Sequence, residues 1–267
     1  MQLHIHHETT YRYSEPVKRS VQSLRLTPRQ DESQRVVNWN LQAPGKLYAQ
    51  HDAHGNVVHL LTLDQPHTEI RILVSGTVVT GEGTTARLHD MGHLSPLAYV
   101  ASTALTRPDE AIAQFAASHS VGKGDTEASL LKLAAGICER VRYTKGSTDV
   151  GVSAAQAFER GMGVCQDQSQ VFIACCRAQG LPARYVSGYL YTGTRDDAAS
   201  HAWIDVWLRD EGCWLPIDVT HACLMTENHC RLAVGRDYLE ASPVRGVRRG
   251  GGGEEMTVEV SLSATQQ

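Results

Sequence analysis

The chain has 267 residues, with 25 Lys and Arg against 29 Asp and Glu and a formal charge of −4 at pH 7. At 42% hydrophobic and 20% charged residues it can bury a sizeable core, which excludes a disordered polymer. The near-neutral balance argues against nucleic-acid binding driven by charge.

Apolar runs such as Val171–Cys176 are far shorter than the roughly 20 residues that span a bilayer, so no membrane helix is expected. The N-terminus lacks a basic region followed by an apolar stretch and enters an alternating pattern at once. Seven cysteines, at 138, 165, 175, 176, 213, 223 and 230, form an odd set without a framework spacing. Free thiols in a reducing, cytoplasmic compartment are the expectation.

From Met1 to Tyr13, Leu3, Ile5, Thr9, Tyr11 and Tyr13 fall on one face of a strand, with His4 and His6 on the polar face. His4-x-His6-His7 is therefore read as exposed strand histidines rather than a metal site. Alternation at Val37, Trp39 and Leu41, a turn at residues 52–56, and apolar runs Val57–Leu63 and Glu69–Thr80 predict further strands. An N-terminal β-sandwich-like domain over residues 1–83 follows, ending at Gly81-Glu82-Gly83.

The composition then turns helical. Pro108 suits the first turn of a helix running through Asp109–His119. Asp125 is a candidate N-cap for a helix carrying Leu130, Leu133, Ala134, Ile137 and Val141, and Ser153 caps a short one ending at Gly161. Cys138 reads as a small buried hydrophobe.

Gly161-Met162-Gly163-Val164-Cys165-Gln166-Asp167 leads into an apolar helix that Gly180 and Pro182 terminate. Cys165 thus lies in a first turn, where the dipole and unpaired N–H groups favour a thiolate and could hold an oxyanion. A lone cysteine in a buried helix is more often packing, which is the reading for Cys175 and Cys176 two turns further on. Asp167 is expected to cap the helix start or to pair with an arginine.

His201–Leu208 and Cys213–Asp218 flank the turn Arg209-Asp210-Glu211-Gly212. Pairing Leu208 with Cys213 carries through to Trp203 opposite Asp218, making His201 and Asp218 diagonal neighbours on one face. A one-residue slip in the turn would separate them. An acid beside an imidazole fixes its tautomer and raises its basicity, as a Cys–His nucleophilic pair requires.

Val141-Arg142-Tyr143, Gly163–Asp167, Pro182–Tyr189, His201-Ala202-Trp203, Asp218-Val219-Thr220 and Gly235–Tyr238 together resemble the bacterial transglutaminase-like superfamily. The resemblance extends over nearly the whole chain, from the N-terminal strands to Pro243–Val247. It implies an α+β protein in which a papain-like core over residues 84–267 follows the β-domain; separately, the alternation of Val258, Val260 and Leu262 predicts a strand near 254–263 that rejoins a sheet. The resemblance also implies a Cys165, His201, Asp218 triad, a thioester intermediate and a peptide, protein or small amide substrate. No cofactor and no metal are expected. Asp205 stands where the family often has Glu, and Val219 where it often has Pro. An inactive binding or scaffolding module is the competing expectation.

Structural zinc at Cys213, His221, Cys223, His229 and Cys230 is a chemical rival, weakened by the lack of any C-x-x-C pair. Arg184 and Tyr189 read as scaffold. Arg245, Arg248 and Arg249, with Gly250–Gly253, could clamp an acidic substrate, but four consecutive glycines favour a solvated mobile loop.

Overall fold

The computed structural model describes residues 1–81, 87–89, 92, 94–121, 126–193 and 199–265. The expected helix cap at Asp125 and the expected domain boundary after Gly83 lie outside these residues.

The first strand, β1 (Gln2–Leu24), is far longer than its alternating start suggested. Its buried odd positions include Leu3, Ile5, His7, Thr9 and Tyr13. β2 (Gln34–Gln42), β3 (Leu47–His51), β4 (Val57–Leu63) and β5 (His67–Thr80) join it in a curled antiparallel sheet of order β2-β5-β1-β4-β3.

Helices α1 (Glu110–Ser118) and α2 (Thr126–Arg140) follow. Asp109, not Pro108, forms the α1 start: its carboxylate accepts the Ile112 N–H at 2.8 Å, and Pro108 precedes the cap. A two-residue strand β6 (Arg142–Tyr143) leads to α3 (Ala154–Arg160), capped by Ser153 and stopped by Gly161 at φ 69°. β7 (Met162–Gly163) pairs in parallel with β6 and feeds directly into α4 (Cys165–Ala178).

The second large sheet contains β8 (Ala183–Leu190), β9 (Ala199–Leu208), β10 (Cys213–Asp218), β11 (Cys223–Leu224) and β12 (His229–Gly235). Its order is β11-β10-β9-β8-β12, all antiparallel. α4 lies against it, with Val171, Phe172, Ile173 and Cys175 packed among Ala202, Ile204 and Leu215.

After a single turn, α5 (Tyr238–Ala241), come β13 (Val244–Gly250) and β14 (Glu254–Thr265). Both return to the N-terminal sheet: β14 pairs with residues 2–13 of β1 and β13 with residues 17–24. This corrects the mobile-loop reading of the arginine and glycine segment, whose backbone is held by β1. Positive φ at Gly250, Gly251 and Gly252 makes the turn between the two strands, a conformation that glycine alone adopts without strain.

The two sheets share a core, where Tyr189, Cys230 and Leu232 pack among Leu3, Ile5 and Leu26. Side-chain amides of the N-terminal sheet region also act as surrogate strand partners for β12. Gln34 donates to the Arg231 carbonyl at 2.8 Å and accepts the Arg231 N–H at 2.7 Å. Asn56 does the same for Val234, at 2.7 and 2.8 Å. An edge strand's exposed backbone groups need such partners when they are buried. Among the described residues, no helix is long and apolar enough to cross a membrane.

Candidate active site

Cys165 is the first helical residue of α4 and remains partly exposed. Its backbone is set by the residues around it. Gly163 leaves the room that a Cβ would fill at 2.6 Å from the Asp167 side chain. Asp167 folds back, its Oδ2 accepting the Val164 N–H at 2.8 Å and the Thr148 hydroxyl at 2.6 Å. It therefore caps the helix, as its position suggested, and also ties down the loop that carries Thr148.

The hairpin forms in the expected register, from Cys213 opposite Leu208 to Ile217 opposite Ile204. There the ladder ends, and Asp218 instead pairs with Cys223 of β11. The side chains still meet: His201 Nε2 lies 2.8 Å from Asp218 Oδ2, with the histidine nearly buried and the carboxylate fully so. With Nε2 committed to Asp218, Nδ1 is the nitrogen left to face Cys165, whose thiol is close enough to act on the His201 imidazole. The structure thus brings Cys165, His201 and Asp218 together in that order.

Burial by itself would lower the His201 pKa. The hydrogen bonds with Asp218 and Cys165, and the charges behind them, more than reverse this and raise it to about 9. Burial likewise opposes ionisation of Asp218, but donors from His201, His229 and His221 hold it well below the usual carboxylate range. Burial pushes up the other six thiols, Cys138, Cys175, Cys176, Cys213, Cys223 and Cys230, with Cys175 reaching about 12.

Two further histidines reach the same carboxylate. His221 Nδ1 lies 2.7 Å and His229 Nε2 3.1 Å from Asp218 Oδ2. The sequence offered both only as zinc ligands in a run of Cys and His; their convergence on one acid is a product of the fold. His201, Asp218 and His221 do present atoms within 4.8 Å of one another that could ligate a metal. Both nitrogens are already bonded to Asp218, and their protons would have to leave first.

The aromatic floor of the site comes from the hairpin. Trp203, fully buried, stacks on His201 with rings 30° apart and centroids at 6.1 Å. Beneath it, Arg184 and Arg231 clasp the buried Asp205, at 2.7 Å from Nε of the first and 2.6 Å from Nη2 of the second. Arg184 is scaffold in this sense, and Tyr189 bonds His7 of β1 at 2.7 Å across the sheet interface.

Residues 3–79 match the model of the bacterial transglutaminase-like N-terminal region, and residues 113–219 match that of the transglutaminase-like superfamily. An uncharacterised protein of Mycobacterium leprae is 30% identical over 279 residues, covering 96% of each chain. One from Mycobacterium tuberculosis H37Rv is 31% identical, covering 90% of this chain and 85% of its own. The crystal structure of a candidate cysteine protease from Cytophaga hutchinsonii superposes with a TM-score of 0.80 at 20% identity. That match covers 100% of this chain and 91% of the other, and shows a shared fold.

Proposed function

Since the chain belongs to the transglutaminase-like superfamily, we propose that it is a cysteine-dependent acyl-transfer enzyme acting on an amide bond. The observation that supports this most is the chain Cys165, His201, Asp218, with the nucleophile at a helix start and the imidazole held by a buried carboxylate.

The Cys165 thiolate attacks the amide carbonyl, forming a C–S bond while the oxygen takes the negative charge. First-turn N–H groups of α4 stabilise that oxyanion. The His201 imidazolium gives its proton to the leaving nitrogen, the C–N bond breaks, and a thioester remains. An acceptor, water or an amine, then loses a proton to His201 and attacks the thioester, releasing Cys165. Asp218 keeps the His201 proton on Nε2 and stabilises the imidazolium. Peptides, proteins and small amides are the substrate classes this chemistry serves, and a cytoplasmic setting suits a chain of free thiols.

The test is iodoacetamide labelling of the native protein across pH 4–9, with each cysteine quantified by mass spectrometry. Fast labelling of Cys165 well below the free-thiol value of about 8.5, with the other six slow, supports the enzyme. Loss of that signal and of amide hydrolysis in Cys165→Ala, with the fold intact, completes the case. Equal labelling of all seven would instead mean a binding module on the same fold.

A further inference from the structure

We propose that His229 is a positioning residue of the reaction, which holds Asp218 in the orientation that His201 needs, and that the N-terminal β-domain exists in part to seat it. The inference rests on the triad reading above and extends it to a residue on another strand.

His229 opens β12 and is buried, 4% exposed. Its ring has a defined tautomer. The Thr226 backbone N–H points at Nδ1 from 3.1 Å, so Nδ1 is an acceptor. The Thr226 carbonyl, also near Nδ1, already takes the backbone N–H of His229. The proton therefore sits on Nε2, which faces Asp218 Oδ2 at 3.1 Å. An ionised carboxylate only accepts, so this contact is a donation from a fixed, buried group.

The geometry around Asp218 explains why such a donor matters. His201 must be free to take and give a proton at Nδ1, and His221 is half exposed. Asp218 ends its strand at a turn, where the β9 ladder no longer holds it. The His221 backbone N–H reaches the other oxygen, Oδ1, at 3.3 Å; among the three described imidazoles on Oδ2, His229 is the one both buried and outside the proton path. It also meets Trp203 edge to face at 5.2 Å, so it touches the ring that supports His201.

His229 is in turn placed by β12, an edge strand whose outer backbone is bonded by Gln34 and Asn56. Both belong to the N-terminal region. The path from β-domain to reacting atoms thus runs Gln34 to Arg231, two residues along β12 to His229, then Asp218 and His201.

The experiment uses the full chain and iodoacetamide, measuring the second-order rate of Cys165 alkylation together with the melting temperature. His229→Ala should slow Cys165 by at least about tenfold, as loss of orientation does. His229→Gln keeps an N–H donor near the Nε2 position and should return the rate to within about threefold of wild type. Such rescue is what a merely structural role would not give. A His229→Ala protein as fast as wild type overturns the proposal, and so does a His229→Gln protein as slow as the alanine variant with unchanged melting. If wild-type Cys165 labels no faster than Cys138 or Cys223, the enzyme reading itself has failed. If wild-type Cys165 is fast and His229→Ala equally fast, only the role of His229 has.

Discussion

The Thr220 hydroxyl donates to Gln168 Oε1 at 2.8 Å, joining the turn that carries Asp218 to the helix that carries Cys165. Gln168 lies one helical turn beyond Cys165 and is buried, its Nε2 donating to the Val141 carbonyl at 2.8 Å. Asp218 and Cys165 come from distant elements, and this bond ties those elements together. Thr220→Val preserves shape and strands Gln168 Oε1 without its donor. It should cost about 1–3 kcal/mol of stability, read as a lower denaturation midpoint at unchanged slope, and slow Cys165 alkylation several-fold.

His201 gives stability a pH dependence with a definite sign. Its folded pKa, about 9, lies above the ordinary 6.5, so the native state holds the proton more tightly. Its contribution is complete below 6.5 and is lost as pH rises through about 9, at up to about 1.4 kcal/mol per unit in between. Denaturation of wild type and His201→Gln between pH 6 and 10 should give curves that converge on the alkaline side. Parallel curves would contradict the assignment.

Asp205 is fully buried between two guanidinium groups. Burial would raise its pKa, but Arg231 and then Arg184 bring it down to about 2. Its contribution is present above the ordinary value of 3.8 and lost as pH falls through about 2. Asp205→Ala removes the buried carboxylate that the two guanidinium groups share, while Arg231 keeps its pair with Asp31 at 3.3 Å, and should cost about 3 kcal/mol. Urea titration at pH 7 measures this directly.

Gly188 sits opposite His201 in the β8–β9 ladder. A Cβ there would lie 2.2 Å from the Cys230 carbonyl oxygen and 2.4 Å from the Trp203 ring. Backbone blocks one side and the ring under His201 the other, so Gly188→Ala should destabilise by about 1–3 kcal/mol or more. Because Trp203 must shift, Cys165 alkylation should fall as well.

Much of this site was legible because local rules govern its parts. A four-residue turn bounded by Leu208 and Cys213 determines which residues of the hairpin face each other, and the observed register follows it to Ile217. The glycines before Cys165 and Gly180 after it mark α4 without reference to the rest of the chain. His229 and His221 were different, since no periodicity in β12 or in the turn after Asp218 says that both reach one carboxylate oxygen. β13 was hidden for a related reason. Arginine- and glycine-rich sequence has little intrinsic strand preference, and only the waiting edge of β1 makes it one.

Each half of β1 lies between an early strand and a late one, β5 and β14 along residues 2–13 and β4 and β13 towards Leu24. On the ribosome, the first 80 residues can therefore build only one side of that sheet. The opposite edge of the nascent chain, 23 residues of strand, stays unpaired until residues 244–265 have been made. At about 5–20 residues per second that wait is on the order of ten seconds or more. During it the growing polypeptide offers an open template for strand pairing with other chains, and the folded protein closes it with β13 and β14.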